Sequence, residues 1–144
     1  MSLKQISVFL ENRPGTLKDM TAVLTENRID MRALSLAETK DFGIARLIVD
    51  DAYHAANVLK DAGFVSSLTS VVGVMIPDEV GGLDRVLEIL QKNHVNVEYM
   101  YAFLGGKKIN HAYMILRVTD HKAAETALSG NHFRIVTQDE ISEL

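Results

Sequence analysis

Alternation opens the chain. Ile6, Val8 and Leu10 fall on every second position, the period of a half-buried strand, and Asn12-Arg13-Pro14-Gly15 ends the run. The apolar positions then move to helical spacing at Leu17, Met20, Val23 and Leu24, with Asn27 as the stop. A strand over residues 31–37, a turn at Asp41-Phe42-Gly43 and a strand over 45–49 follow. Asp51 is placed to cap a second helix that buries Ala55, Val58, Leu59 and Ala62, and Gly63 closes it ahead of an extended run over 65–72. The order is strand, helix, strand, strand, helix, strand. The second half repeats it, with Leu83, Val86, Leu87 and Leu90 on one helix and Ala124, Ala127 and Leu128 on another that follows Asp120.

The repetition is residue by residue. Gly15 and Gly81, Leu17 and Leu83, Met20 and Val86, Leu24 and Leu90, Asn27 and Asn93, Ile29 and Val95, and Asp30 and Asn96 are each 66 positions apart. Further on the offset is 69, for Val49 and Val118, Leu59 and Leu128, and Phe64 and Phe133. The change falls near Gly105-Gly106-Lys107-Lys108, where a longer hairpin turn would absorb it. Two repeats are expected, over 1–71 and 72–144. Residues 65–76 are nearly unbroken β-favouring sequence with Gly73 as the bend, so the repeats are expected to share a near-continuous sheet of about eight strands.

A βαββαβ unit defines an α+β class: a four-stranded antiparallel sheet with both helices on one face. Strand parity then sends Ile6, Val8, Leu10, Leu34, Leu36, Ala45, Leu47 and Val49 toward the helices of repeat one, and Val72, Val74, Ile76, Met100, Met114, Leu116 and Val118 toward those of repeat two. The other face would carry Phe9, Ile48, Met75, Tyr99, Tyr101, Phe103, Tyr113 and Ile115. So much apolar area on an open sheet face predicts a covering partner, and a second copy of the chain across a two-fold axis is the simplest one.

Composition narrows the chemistry. Hydrophobic residues make up 47% and charged residues 24%, which excludes a disordered chain. The net charge of -4, with no basic run, argues against a nucleic-acid partner, and stacking by Tyr99, Tyr101 and Phe103 would need more cations around it. With no cysteine there is no disulfide framework, thiol nucleophile or thiolate metal site. No apolar run approaches the ~20 residues of a membrane span, and the start lacks an export-type apolar segment, so a soluble cytoplasmic protein without a membrane partner is expected.

The opening loop carries a resemblance. Glu11-Asn12-Arg13-Pro14-Gly15-Thr16-Leu17 is similar to the signature loop of ACT domains, and the tandem βαββαβ order resembles an ACT pair over the whole chain. The second loop, Asp78-Glu79-Val80-Gly81-Gly82-Leu83, keeps the glycine and leucine but lacks a proline before the glycine. The resemblance implies two ferredoxin-like repeats with their sheets side by side. It also implies a non-catalytic sensor or regulatory protein of amino-acid metabolism that needs no cofactor. Its partners would be an amino-acid ligand and a metabolic enzyme.

The residues suit a zwitterion. Gly15 allows close backbone approach, and the following helix presents N–H groups and a positive dipole end to a carboxylate. Asn12 offers both a carbonyl acceptor and an amide donor, while Asp30, with Met31 at the start of strand two, adds an anionic acceptor for an ammonium. The expected site comprises Asn12, Arg13, Pro14, Gly15, Thr16 and Leu17, faced by Glu98, Tyr99 and Met100 of the other repeat. Its counterpart is Asp78, Gly81, Gly82, Leu83 and Asn96. The same Asn-x-Pro-Gly stretch also serves as an ordinary turn that starts a helix, which leaves a regulatory subunit acting by protein contact alone as the competing reading. His54, His94, His111, His121 and His132 form no metal-binding run, and no Ser-His-Asp order or nucleophile elbow is present.

Overall fold

The computed structural model describes residues 2–104 and 110–144; the turn expected at Gly105-Gly106-Lys107-Lys108 lies outside the described residues. The chain divides into two compact units, Lys4–Thr69 and Ser70–Leu144, the latter taking Ser2 and Leu3 as well.

The first unit runs β1 (Leu3–Glu11), α1 (Thr16–Glu26), β2 (Met31–Glu38), β3 (Phe42–Val49), α2 (Ala52–Asp61) and the first residues of β4 (Val65–Pro77). Its strands follow the order β2-β3-β1-β4. Ile6 lies opposite Leu47 and Val8 opposite Ala45, so the alternating residues of neighbouring strands stack on one face. That face meets Met20, Leu24, Ala55 and Leu59 of the helices in one core.

The second unit continues from β4 through α3 (Gly82–Lys92), β5 (Val97–Ala102), β6 (His111–Val118), α4 (His121–Gly130) and β7 (Arg134–Val136) to a 3-10 turn over Gln138–Glu143. Its order is β7-β4-β6-β5. Val72, Val74, Ile76, Leu116 and Val118 pack against Val86, Leu90, Ala124 and Leu128. The helix-facing parity expected for both repeats is the one observed. The single exposed residue of that set is Leu36, 52% accessible near the end of β2.

Repetition extends to local detail. β2 carries a register irregularity between Met31 and Ala33, and β5 carries one between Val97 and Tyr99, 66 positions on. Each of the four helices ends on the same back-bonded turn, in which the amides of Ile29, Phe64, Val95 and Phe133 reach the carbonyls of Leu24, Leu59, Leu90 and Leu128. His94 and His132 occupy left-handed positions after α3 and α4, which gives these histidines a place in helix termination.

Two expectations are corrected. Gly73 is not a bend. Val65–Pro77 is a single strand, so the described residues form seven strands where eight were expected. Gly73 is there because a Cβ would lie 2.5 Å from Leu3 Cδ1 and 3.2 Å from Val136 Cβ. The face away from the helices is also not open. Ile48, Tyr101, Tyr113 and Ile115 are buried within the single chain, and of the eight residues expected there only Phe9 is a large exposed hydrophobic, at 49%. In the second unit Gly73 lies opposite Ile115 on one side and Val136 on the other, and Leu3 fills the space that its missing side chain leaves.

Candidate functional site

The end of β1, the end of β2 and the start of β3 converge where the chain turns into α1. Leu10 lies opposite Gly43, which on its other side lies opposite Glu38. The Asn12 amide N–H donates to the Asp41 carbonyl at 3.2 Å, and its side-chain Nδ2 donates to Glu38 Oε2 at 3.2 Å. Arg13 closes the turn by donating its N–H to the Glu11 carbonyl at 2.9 Å, and its guanidinium pairs with the Glu11 carboxylate at 2.8 Å. Thr16 Oγ1 sits within hydrogen-bonding distance of the carbonyls of Glu11 (2.8 Å) and Arg13 (3.1 Å).

Gly15 is the residue before the helix, at φ 92°, a left-handed conformation that a Cβ disfavours. α1 therefore starts without a side-chain cap. By contrast, α2 and α4 are capped by Asp51 and Asp120, which accept from the amides of His54 and Ala123. The positive end of α1 faces the loop with no side chain capping it and with Asp19 in its first turn. Beside it is a cleft of about 120 Å³, with Leu10, Leu17 and Leu36 as apolar walls and Asn12, Thr16 and Glu38 at its polar side. A wider hollow of about 280 Å³ shares Glu11, Arg13 and Thr16 and reaches Asp19 and Phe64.

The second loop copies the backbone and changes the chemistry. Gly81 takes φ 86° ahead of α3, Asp78 N–H donates to the Asn110 carbonyl at 2.7 Å, and Glu79 N–H donates to the Pro77 carbonyl at 2.9 Å. At the Thr16 position stands Gly82, where a Cβ would lie 2.4 Å from the Pro77 carbonyl oxygen. By the same offsets Glu38 corresponds to Leu104, Leu36 to Ala102 and Gly43 to Ala112. The second loop thus lacks the carboxylate that Asn12 engages and the leucine at the Leu36 position, while Leu83 keeps that of Leu17.

The other expected residues lie elsewhere. Asp30 and Met31 sit at the far end of β2, with Met31 opposite Val49, roughly 20 Å from Glu38 at strand rise. Asp30 pairs with Arg32 at 3.3 Å and its N–H donates to Asp50 Oδ1 at 3.1 Å, so it anchors the start of the strand. Asn96 does the same in repeat two, its N–H donating to Thr119 Oγ1 at 3.2 Å. Glu98 pairs with Arg117 at 3.8 Å, Tyr99 lies opposite Arg117, and Met100 packs against the second core. Pro14 and Leu17 stay with the loop, as do Gly82 and Leu83 with theirs. Glu38, Leu36 and Gly43 line the cleft beside the first loop and were not among the expected residues. The signal for them was the hairpin register, since a strand ending just before Asp41-Phe42-Gly43 must bring Glu38 back beside the first loop. Among the described residues no group of three or more His, Asp or Glu is arranged to hold a metal, and no helix is long and apolar enough to cross a membrane.

This architecture, a βαββαβ unit twice over with a glycine-capped helix after each first strand, is that of paired ACT domains. The chain belongs to the ACT domain pair family, whose match extends over residues 1–144. It is similar to protein BT0572 from Bacteroides thetaiotaomicron, with 35% identity over 100% of this chain and 98% of that one and a TM-score of 0.92. It shares its fold with the ligand-free regulatory subunit of aspartate kinase from Thermus thermophilus, at 18% identity over 92% of each chain and a TM-score of 0.68. The aspartate kinase of Clostridium acetobutylicum contains the same fold in 32% of its length, at 11% identity, 90% coverage of this chain and a TM-score of 0.53. No curated protein matches the sequence.

Proposed function

We propose that this ACT pair is a non-catalytic, amino-acid-responsive regulatory protein, with its ligand at the first strand–helix loop. The observation that carries the reading is the 3.2 Å contact from Asn12 Nδ2 to Glu38 Oε2 beside the uncapped start of α1. A carboxylate, an amide and a positive helix end around one cleft are complementary to an ammonium and a carboxylate one carbon apart. An enzyme of amino-acid metabolism is the target we assign, supported by the fold shared with a protein described as a regulatory subunit of aspartate kinase.

Thermal-shift measurement of the whole chain against the twenty amino acids tests it. A ligand at about 100 times its Kd adds about 2.7 kcal/mol, a shift of several degrees for a chain of this size. No stabilisation by any amino acid would sink the ligand reading. A second reading, action through protein contact alone, is favoured by Phe9 and Phe42, which are 49% and 57% exposed around an apolar hollow with Ile44. Homodimerisation through this hollow belongs to that reading. Sedimentation of the wild type beside Phe9→Glu tests it, because Tyr101, being buried, would report unfolding instead.

A further inference from the structure

Resting on that reading, we infer that the first-loop cleft selects a small aliphatic α-amino acid, with Glu38 taking its ammonium and the leucine walls its side chain. Leu36 and Glu38 alternate on one face of β2, opposite Ala45 and Gly43. Residues two apart on a strand are about 7 Å apart, so a ligand one residue long spans from the carboxylate to the isobutyl group. Leu36 is 52% exposed although it shares the helix-side face with the core, and Leu10 and Leu17 complete the apolar part of the cleft. Gly43 keeps the cleft open. A Cβ there would stand 3.4 Å from Leu36 Cδ1, and anything larger would project into the space.

The walls favour this class over others. A lysine or arginine side chain would lay its polar end along three leucines, where an aliphatic one buries apolar surface. An aspartate or glutamate ligand would bring a second carboxylate toward Glu38, and the one cation of the lining, Arg13, is already paired with Glu11. The cleft is small, about 120 Å³, which favours a side chain of three or four carbons over a larger one. Repeat two, with Ala102, Leu104 and Ala112 at the positions of Leu36, Glu38 and Gly43, lacks the acid and the leucine beside it. One ligand per chain follows.

Calorimetry on the full chain tests this with L-valine, L-leucine and L-isoleucine beside L-lysine, L-aspartate and L-phenylalanine, and with 3-methylbutanoate as the probe lacking an ammonium. The aliphatic set is expected to bind once per chain and about 10-fold or more tighter than the rest. Leu36→Asp and Gly43→Val should each weaken leucine about 10-fold, and the exposed position of Leu36 leaves the fold intact in the first. Glu38→Gln should abolish the preference for valine over 3-methylbutanoate, a change that a merely structural role would not produce. Tighter binding of a charged or aromatic amino acid that is still lost in Asn12→Ala would overturn this inference and leave the regulatory reading standing. Leucine binding unchanged in both Leu36→Asp and Gly43→Val would overturn it too, and binding of no amino acid at all would overturn both.

Discussion

Gly73→Ala measures how tightly Leu3 and Val136 pack around the bare backbone of β4. The added methyl would sit 2.5 Å from Leu3 Cδ1 and 3.2 Å from Val136 Cβ, and both neighbours are essentially inaccessible to solvent. Overpacking of this kind costs about 1–3 kcal/mol. Replacing a strand glycine by alanine returns roughly 0.5–1 kcal/mol through the unfolded chain, so steric strain wins and the net loss is about 0.5–2 kcal/mol. Leu3→Ala alone should cost about 2–5 kcal/mol, because it empties a fully buried site. Combined, the two changes should cost less than their sum by roughly 1–2 kcal/mol, since the shortened side chain makes room for the methyl. Urea unfolding followed by circular dichroism reads each term, with 1 kcal/mol moving the midpoint by roughly 0.3–1 M. A Gly73→Ala protein at least as stable as the wild type, or a double variant whose cost is strictly additive, would refute the claim that Leu3 covers Gly73.

Three further outcomes are expected. Asn12→Ala should weaken amino-acid binding by about 1.5–3 kcal/mol, or roughly 10–150-fold, by calorimetry, because it removes a hydrogen bond to a charged group. Asp51→Ala and Asp120→Ala should each lower stability by about 1 kcal/mol in thermal unfolding, since each carboxylate caps a helix. Burial tends to raise the Glu140 pKa, but the Thr137 hydroxyl and the Arg134 guanidinium outweigh it and hold the pKa below its ordinary value of 4.5. The stability this provides is therefore complete above pH 4.5 and lost as pH falls through the lowered folded-state pKa, so Glu140→Gln should flatten the acid limb of a stability-against-pH curve.

Much of this protein is dictated locally. The period of its apolar residues sets each strand and helix, the Asp and Asn positions mark where helices start and stop, and the offset between repeats carries the fold from one half to the other. The helix-facing residues followed from parity because a one-residue slip would turn every strand inside out, and the core does not permit it. The first loop was legible for the same reason: a glycine at φ 92° before a helix is a local requirement. Glu38 and Leu36 were not, since they are more than twenty residues from Asn12 and reach it only through strand pairing. Asp30 was expected to add an anionic acceptor beside Asn12, and β2 places it at its opposite end from Glu38. Alternation also names the residues on the second face without naming what lies over them. Leu3 over Gly73 is a contact across seventy positions, fixed by shape in three dimensions and by nothing in the local pattern.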